Sequence, residues 1–208
     1  LDGFAVSPIQ LPSFRDSLTY PDLTGLREVP IASLNQHQIE AAQDFANITI
    51  GALEGGGIHT ETAIAGAARM AGTFLFRSFG FDLNDIQPGQ VVLSDIANER
   101  GPVLIEILAA ALSHLGVALD EEKLGDDNSG DNQPEQGFIE TQRLLEPRFL
   151  AIEKRHGLSH SEAAEAAAFA TALLILEYSH AIAPNIAFNI ALYGFIEGTK
   201  TAPDPVSL

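Results

Sequence analysis

Residues 159–182 read SHSEAAEAAAFATALLILEYSHAI, and this stretch decides the fold class. Ser159 and Glu162 stand at the spacing of a capping box, in which the serine oxygen accepts the N–H three residues on and the glutamate reaches back, so a helix opens here. Alanine and leucine then dominate, the residues that lose least freedom in a helix, and no Gly or Pro interrupts before Pro184. The pattern predicts a helix to about residue 182. Between residues 166 and 196 the single formally charged side chain is Glu177. A helix apolar on every side is covered by other helices, so the chain is predicted to be an all-α bundle with this element at its centre.

A membrane hairpin is the competing reading of so apolar a run. A spanning helix needs about 20 mostly apolar residues. Here Glu177, His180, Asn185 and Asn189 interrupt, and the chain shows no polybasic anchor, so no membrane association is expected.

Working outward, Pro184 is placed to start a last helix that runs to about Gly198. Upstream, residues 136–156 have helical spacing, with a kink or break expected at Pro147. Gly101-Pro102 opens another helix, in which Leu104, Ile105, Leu108, Ala111, Leu112 and Leu115 recur up to Gly116. Residues 59–79 are dense in Ala and Gly (Ala63, Ala65, Gly66, Ala67, Ala68, Ala71, Gly72). Side chains this small let a neighbouring helix approach closely, so this segment too is expected at the centre, with Gly80 as its C-terminal cap.

A first helix is predicted from a Ser33–Gln36 capping box. Its inner face carries Ala41, Ala42, Phe45 and Ile48, and its outer face carries Gln36, His37, Glu40, Gln43, Asp44 and Asn47. Residues 1–32, with four prolines, read as an irregular arm. Residues 33–200 form one helical domain of five or six helices, residues 120–136 an acidic mobile loop, and residues 201–208 a tail.

The composition excludes several function classes. With 28 acidic residues against 11 Lys plus Arg, the formal charge is −17, a field that repels phosphate backbones, so no nucleic-acid partner is expected. Cysteine is absent, which removes disulfides, thiolate nucleophiles and Cys-ligated metals. An apolar fraction of 46% supports a folded, soluble domain. The chain opens on Leu1 with no signal peptide in the residues present. The expected compartment is the cytoplasm, with export still compatible with the sequence.

Two Glu-x-x-His pairs, Glu153/His156 and Glu177/His180, each place a carboxylate and an imidazole on one helical face. Di-metal bundles use two such pairs, but these two stand about 25 Å apart at the usual helical rise and cannot clasp one centre. Glu153 and His156 read as a solvated helix end beside Gly157. Glu177 follows eleven uncharged residues, and a buried carboxylate must be paired, protonated or coordinated. Its expected partner is Arg69, as a buried ion pair. The alternatives are a divalent metal held by Glu177 and His180, or simple exposure of Glu177 at the end of a helix.

Asn185, Asn189, Tyr193 and Glu197 recur every four residues on the last helix. With Glu177, His180 and Arg69, the residues Asn185, Asn189 and Tyr193 are the candidate ligand-binding set. The Gly55-Gly56-Gly57 run lacks the Lys of a phosphate loop, the acidic loop at 126–131 fits no register of a calcium hand, and no Gly-x-Ser-x-Gly elbow is present. Two functions from different classes follow. One is a helical protein acting through self-association, as a dimer, or through partner binding. The other is a small-molecule or metal-binding protein, with or without catalysis, built around Glu177 and His180.

Overall fold

The computed structural model describes residues 34–53, 59–124 and 132–205. The expected arm, the Ser33 cap, the Gly55–Gly57 run, the centre of the acidic loop and residues 206–208 lie outside these. Six helices of 13 to 19 residues form the bundle: α1 (Gln36–Leu53), α2 (Thr60–Ser78), α4 (Pro102–His114), α5 (Phe138–His156), α6 (His160–Glu177) and α7 (Pro184–Lys200). A six-residue helix, α3 (Asp95–Arg100), precedes α4. There is no strand among the described residues, only an isolated antiparallel bridge between Val91 and Thr201. No described helix is long and apolar enough to cross a membrane.

The helix starts follow local chemistry. Asn35 and Gln38 cap α1 reciprocally, since the Asn35 Oδ1 accepts the Gln38 N–H at 3.0 Å and the Gln38 Oε1 accepts the Asn35 N–H at 2.9 Å. In the Ser159 box of α6 the Glu162 N–H donates to Oγ at 3.3 Å and the Ser159 N–H donates to Glu162 Oε2 at 2.8 Å. Gly157, at φ 66°, closes α5 in the left-handed conformation that glycine adopts without penalty.

Several boundaries differ from expectation. α5 is not broken at Pro147: the proline is exposed, and the carbonyl it deprives of a donor belongs to Arg143, an exposed residue. α6 ends at Glu177 and a 3₁₀ turn, Tyr178–His180, carries the chain onward, so the helix is shorter than predicted. α3 was not predicted; it is too short for periodicity to register, although Ser94 caps it by accepting the Ala97 N–H. The tail is anchored. Thr201, Ala202 and Pro203 are buried, and Asp204 pairs with Arg143 while its carbonyl accepts from Arg77 at 2.8 Å.

α2 and α6 form the centre, as the small residues imply. Every residue of α2 from Thr62 to Phe76 is buried, and α6 is buried almost continuously from Ala163 to Ile175. α2 packs on α7, α6, α5 and α1; α6 also packs on α1 and α4. Phe45, Phe74 and Phe149 stack between α1, α2 and α5, with Phe45 and Phe149 centroids 4.4 Å apart.

The α2–α7 contact is made backbone to backbone. A Cβ at Gly198 would stand 2.3 Å from the Arg69 carbonyl oxygen, and one at Gly72 would stand 2.6 Å from that of Phe195. One at Gly194 would meet the Ala68 Cβ at 2.7 Å. Residues 65–69 lie against 194 and residues 69–73 against 198, so the two helices run parallel. α7 is central on this face alone, since its opposite face leaves Tyr193 and Ile196 exposed.

Candidate functional site

The structure separates the predicted ligand-binding residues into three groups. Glu177 and His180 form the first, at the open end of α6, and both are exposed. The buried-carboxylate premise therefore does not hold. Glu177 is the last residue of α6, where the helix leaves the core, and the His180 Nδ1 donates to the Glu177 carbonyl at 2.9 Å rather than facing its carboxylate. Sequence spacing put apolar residues one turn before Glu177 but could not show that the helix stops there.

Asn185 and Asn189 form the second group, and both are engaged in holding the segment after α4. The Asn185 Oδ1 accepts the Asp120 N–H at 3.1 Å and its Nδ2 donates to the Asp120 carbonyl at 2.7 Å, a two-point clasp of one residue's backbone. The buried Asn189 donates to the Lys123 carbonyl at 3.0 Å. These two asparagines fasten a turn instead of lining a chamber.

Arg69 and Tyr193 form the third group and do meet, in a cleft of about 310 Å³ with Glu197, Ala65, Ile190 and the 132–134 segment. Arg69 is buried, and its Nε donates to Glu197 at 2.7 Å, which replaces the expected pair with Glu177. Its Nη1 donates to the Gln136 carbonyl at 2.7 Å and to Thr141 at 3.1 Å. The four-residue stripe includes Glu197 but does not mark it as the arginine's partner. Since α2 and α7 run parallel in contact, position 197 was the carboxylate within reach of Arg69, a fact that only the packing supplies.

The reading of Glu153 and His156 as a solvated helix end is corrected on both counts. Glu153 is 8% exposed and bonds the His160 Nδ1 at 2.5 Å. Burial raises its carboxyl above the ordinary value, against the opposing pull of His160 and Arg77. The His156 Nε2 lies 2.9 Å from the Asp44 carboxylate, and its Nδ1 stands 4.0 Å from Glu40. His37, Glu40 and His156 bring one ligand atom each within 4.8 Å of one another. They are the one such group among the described residues, and no carboxylate or imidazole at the end of α6 belongs to it. The His37-x-x-Glu40 spacing on the polar face of α1 was visible in the sequence, but the third ligand comes from another helix.

A surface of a different kind covers α7. Among the described residues, the large hydrophobic side chains most open to water are Val91, Leu93, Ile96, Tyr193 and Ile196. Ile196 and Lys200 line two clefts, one shared with Ala97 and Ile105, the other with Val91, Phe138 and Ile139. Glu197 joins the second of these to the Arg69 cleft. The chain leaving the α2 end is held beside α7 by the Val92 N–H donating to the Lys200 carbonyl at 2.7 Å and the Ala202 N–H donating to that of Gln90 at 2.9 Å. Comparison of the chain with protein-family models, curated proteins and solved structures gives no match.

Proposed function

We propose that this protein is an interaction module, a helical domain that pairs with a second copy of itself through the outer face of α7 and the 91–96 segment. One observation carries the reading. Among the described residues the most exposed large apolar side chains belong to these two neighbouring stretches, led by Leu93 at 80% and Val91 at 62%. Scattered apolar side chains on a surface need no explanation, but a contiguous group marks an interaction site.

At −17, two copies repel through most of their surface, so they approach best where apolar side chains are densest, and this face sets Val91, Leu93, Ile96, Tyr193 and Ile196 among Asp95, Glu140, Glu197 and Lys200. A twofold contact sets the same patch on both partners, so Ile196 and Leu93 near the axis would each be covered twice over by one association. Sedimentation velocity across the micromolar range tests this. The parent chain is expected to dimerise, and Ile196→Glu combined with Leu93→Asp to remain monomeric with an unchanged helical spectrum. A parent chain that stays monomeric throughout would remove the reading.

A second reading is supported by the Arg69 cleft, whose 310 Å³ is at the small end of ligand pockets. Here Tyr193 and the paired Arg69 and Glu197 would orient a small polar molecule. Ligand-observed NMR with a set of polar fragments tests it. Binding that disappears in Tyr193→Ala supports the cleft, whereas binding indifferent to that change, or none at all, rejects it.

A further inference from the structure

We infer that His37, Glu40 and His156 form a binding site for a divalent transition metal of the zinc type, which would tie the start of α1 to the end of α5. Their ligand atoms already lie within 4.8 Å of one another, and the His156 Nδ1 is 4.0 Å from Glu40 Oε2. Two donors bound to one ion at about 2.0–2.1 Å are separated by about 3.3 Å in tetrahedral geometry. The contraction needed is well under the reach of one side-chain torsion at His37 and Glu40, both exposed.

The groups behind the ligands are arranged as metal sites require. A metal-bound imidazole almost always gives its other ring N–H to a carboxylate, which fixes the ring and raises its basicity. The Asp44 Oδ2 stands 2.9 Å from the His156 Nε2, leaving Nδ1 to face Glu40. On the other side, Gln36 Nε2 donates to Glu40 Oε1 at 2.8 Å and leaves Oε2 turned toward the imidazole. Arg155 shares Asp44 at 3.0 Å, which restrains the second carboxylate from acting as a ligand itself.

The donor set selects the class of ion. Two imidazoles and one carboxylate suit zinc and its neighbours, whereas calcium and magnesium prefer an all-oxygen shell. Three protein ligands on an exposed helix junction leave a coordination position for water or for a donor from outside the chain.

Cobalt(II) provides a direct readout, since imidazole ligation in four- or five-coordinate geometry gives visible absorption that carboxylate-bound, six-coordinate cobalt scarcely shows. Metal-free full-length chain titrated with cobalt is expected to develop those bands at one equivalent, zinc to displace them, and calcium to leave them unchanged. His37→Ala and His156→Ala should abolish the bands. Asp44→Asn, altering a positioning residue, should weaken zinc binding by about 10- to 100-fold without removing the bands. Helical spectra and melting curves of the metal-free variants establish that they fold; His37 is exposed and its loss should cost little. Absence of the bands, bands that calcium removes, or bands that persist in the folded His37→Ala variant would each overturn the proposal.

Discussion

Arg77 on α2 and Glu146 on α5 meet in a two-point ion pair, Nε to Oε1 at 2.5 Å and Nη2 to Oε2 at 3.0 Å, with both side chains almost closed to water. Gln142 donates to the same carboxylate at 2.5 Å, and Arg77 also donates to the Asp204 carbonyl. The pair thus fastens α2, α5 and the chain after α7 at one point. Removing one member strands the other charge in a poorly solvated place. Arg77→Met is expected to lose about 3–5 kcal/mol of unfolding free energy. Urea titration measures this, and a loss below about 1 kcal/mol would mean that the pair is as weak as one on the surface.

The glycines should behave oppositely in two places. Gly198→Ala drives a methyl group onto the Arg69 carbonyl, at 2.3 Å before relaxation, so α7 must lift from α2. A cost of about 1–3 kcal/mol or more follows from the overpacking. Gly51→Ala, exposed in α1 with nothing within 4 Å of the new Cβ, should instead stabilise by about 0.5–1 kcal/mol through reduced chain entropy. Thermal melts of the two variants beside the parent decide whether the close approach is real.

Glu153 gives a pH signature. Because burial raises its carboxyl above 4.5, the folded state holds that proton more tightly than the unfolded chain does. Its contribution to stability therefore declines as pH rises from 4.5 through the raised value, and is level above it. In Glu153→Gln that slope should vanish. The difference in unfolding free energy between parent and variant, followed by denaturant titration upward from acid, should fall with pH; a difference that rises would contradict the direction.

The Ser159 box predicts the reverse sign. The Glu162 carboxyl is held below 4.5, first by the Ser159 backbone N–H and then by its hydroxyl, so this contribution is present above 4.5 and fades as pH falls through the lowered value. Ser159→Ala should cost about 0.5–2 kcal/mol near neutrality. The penalty should shrink in acid, as measured by unfolding at the two pH values.

Helix type and order were legible because each long helix carries its own periodicity and punctuation, from the Ser159 box to Pro102, Pro184 and Gly157. The centrality of α2 followed from its run of Ala and Gly. What could not be read was which helix face met which. The alanine-rich run ahead of Glu177 is the same whether the helix ends in the core or at its rim, and here it ends at the rim. Arg69 needed a carboxylate, but only the parallel packing of α2 on α7 decides between Glu177 and Glu197. The cluster of His37, Glu40 and His156 joins residues more than a hundred positions apart, a distance at which spacing carries no information. Pro147 shows the converse, a strong local signal outweighed on the exposed side of a helix whose other face is packed.

The glycine contact between α2 and α7 bears on how the outer face of α7 would respond to load. Two helices separated by flexible side chains can creep past each other, each rotamer absorbing a little of the displacement. Where main chain rests directly on main chain, as at Gly72, Gly194 and Gly198, there is no such cushion. Anything gripping Ile196 from outside therefore pulls on main chain that bears directly on residues 65–73 of α2, the spine of the molecule, and so on the stretch that carries Arg69.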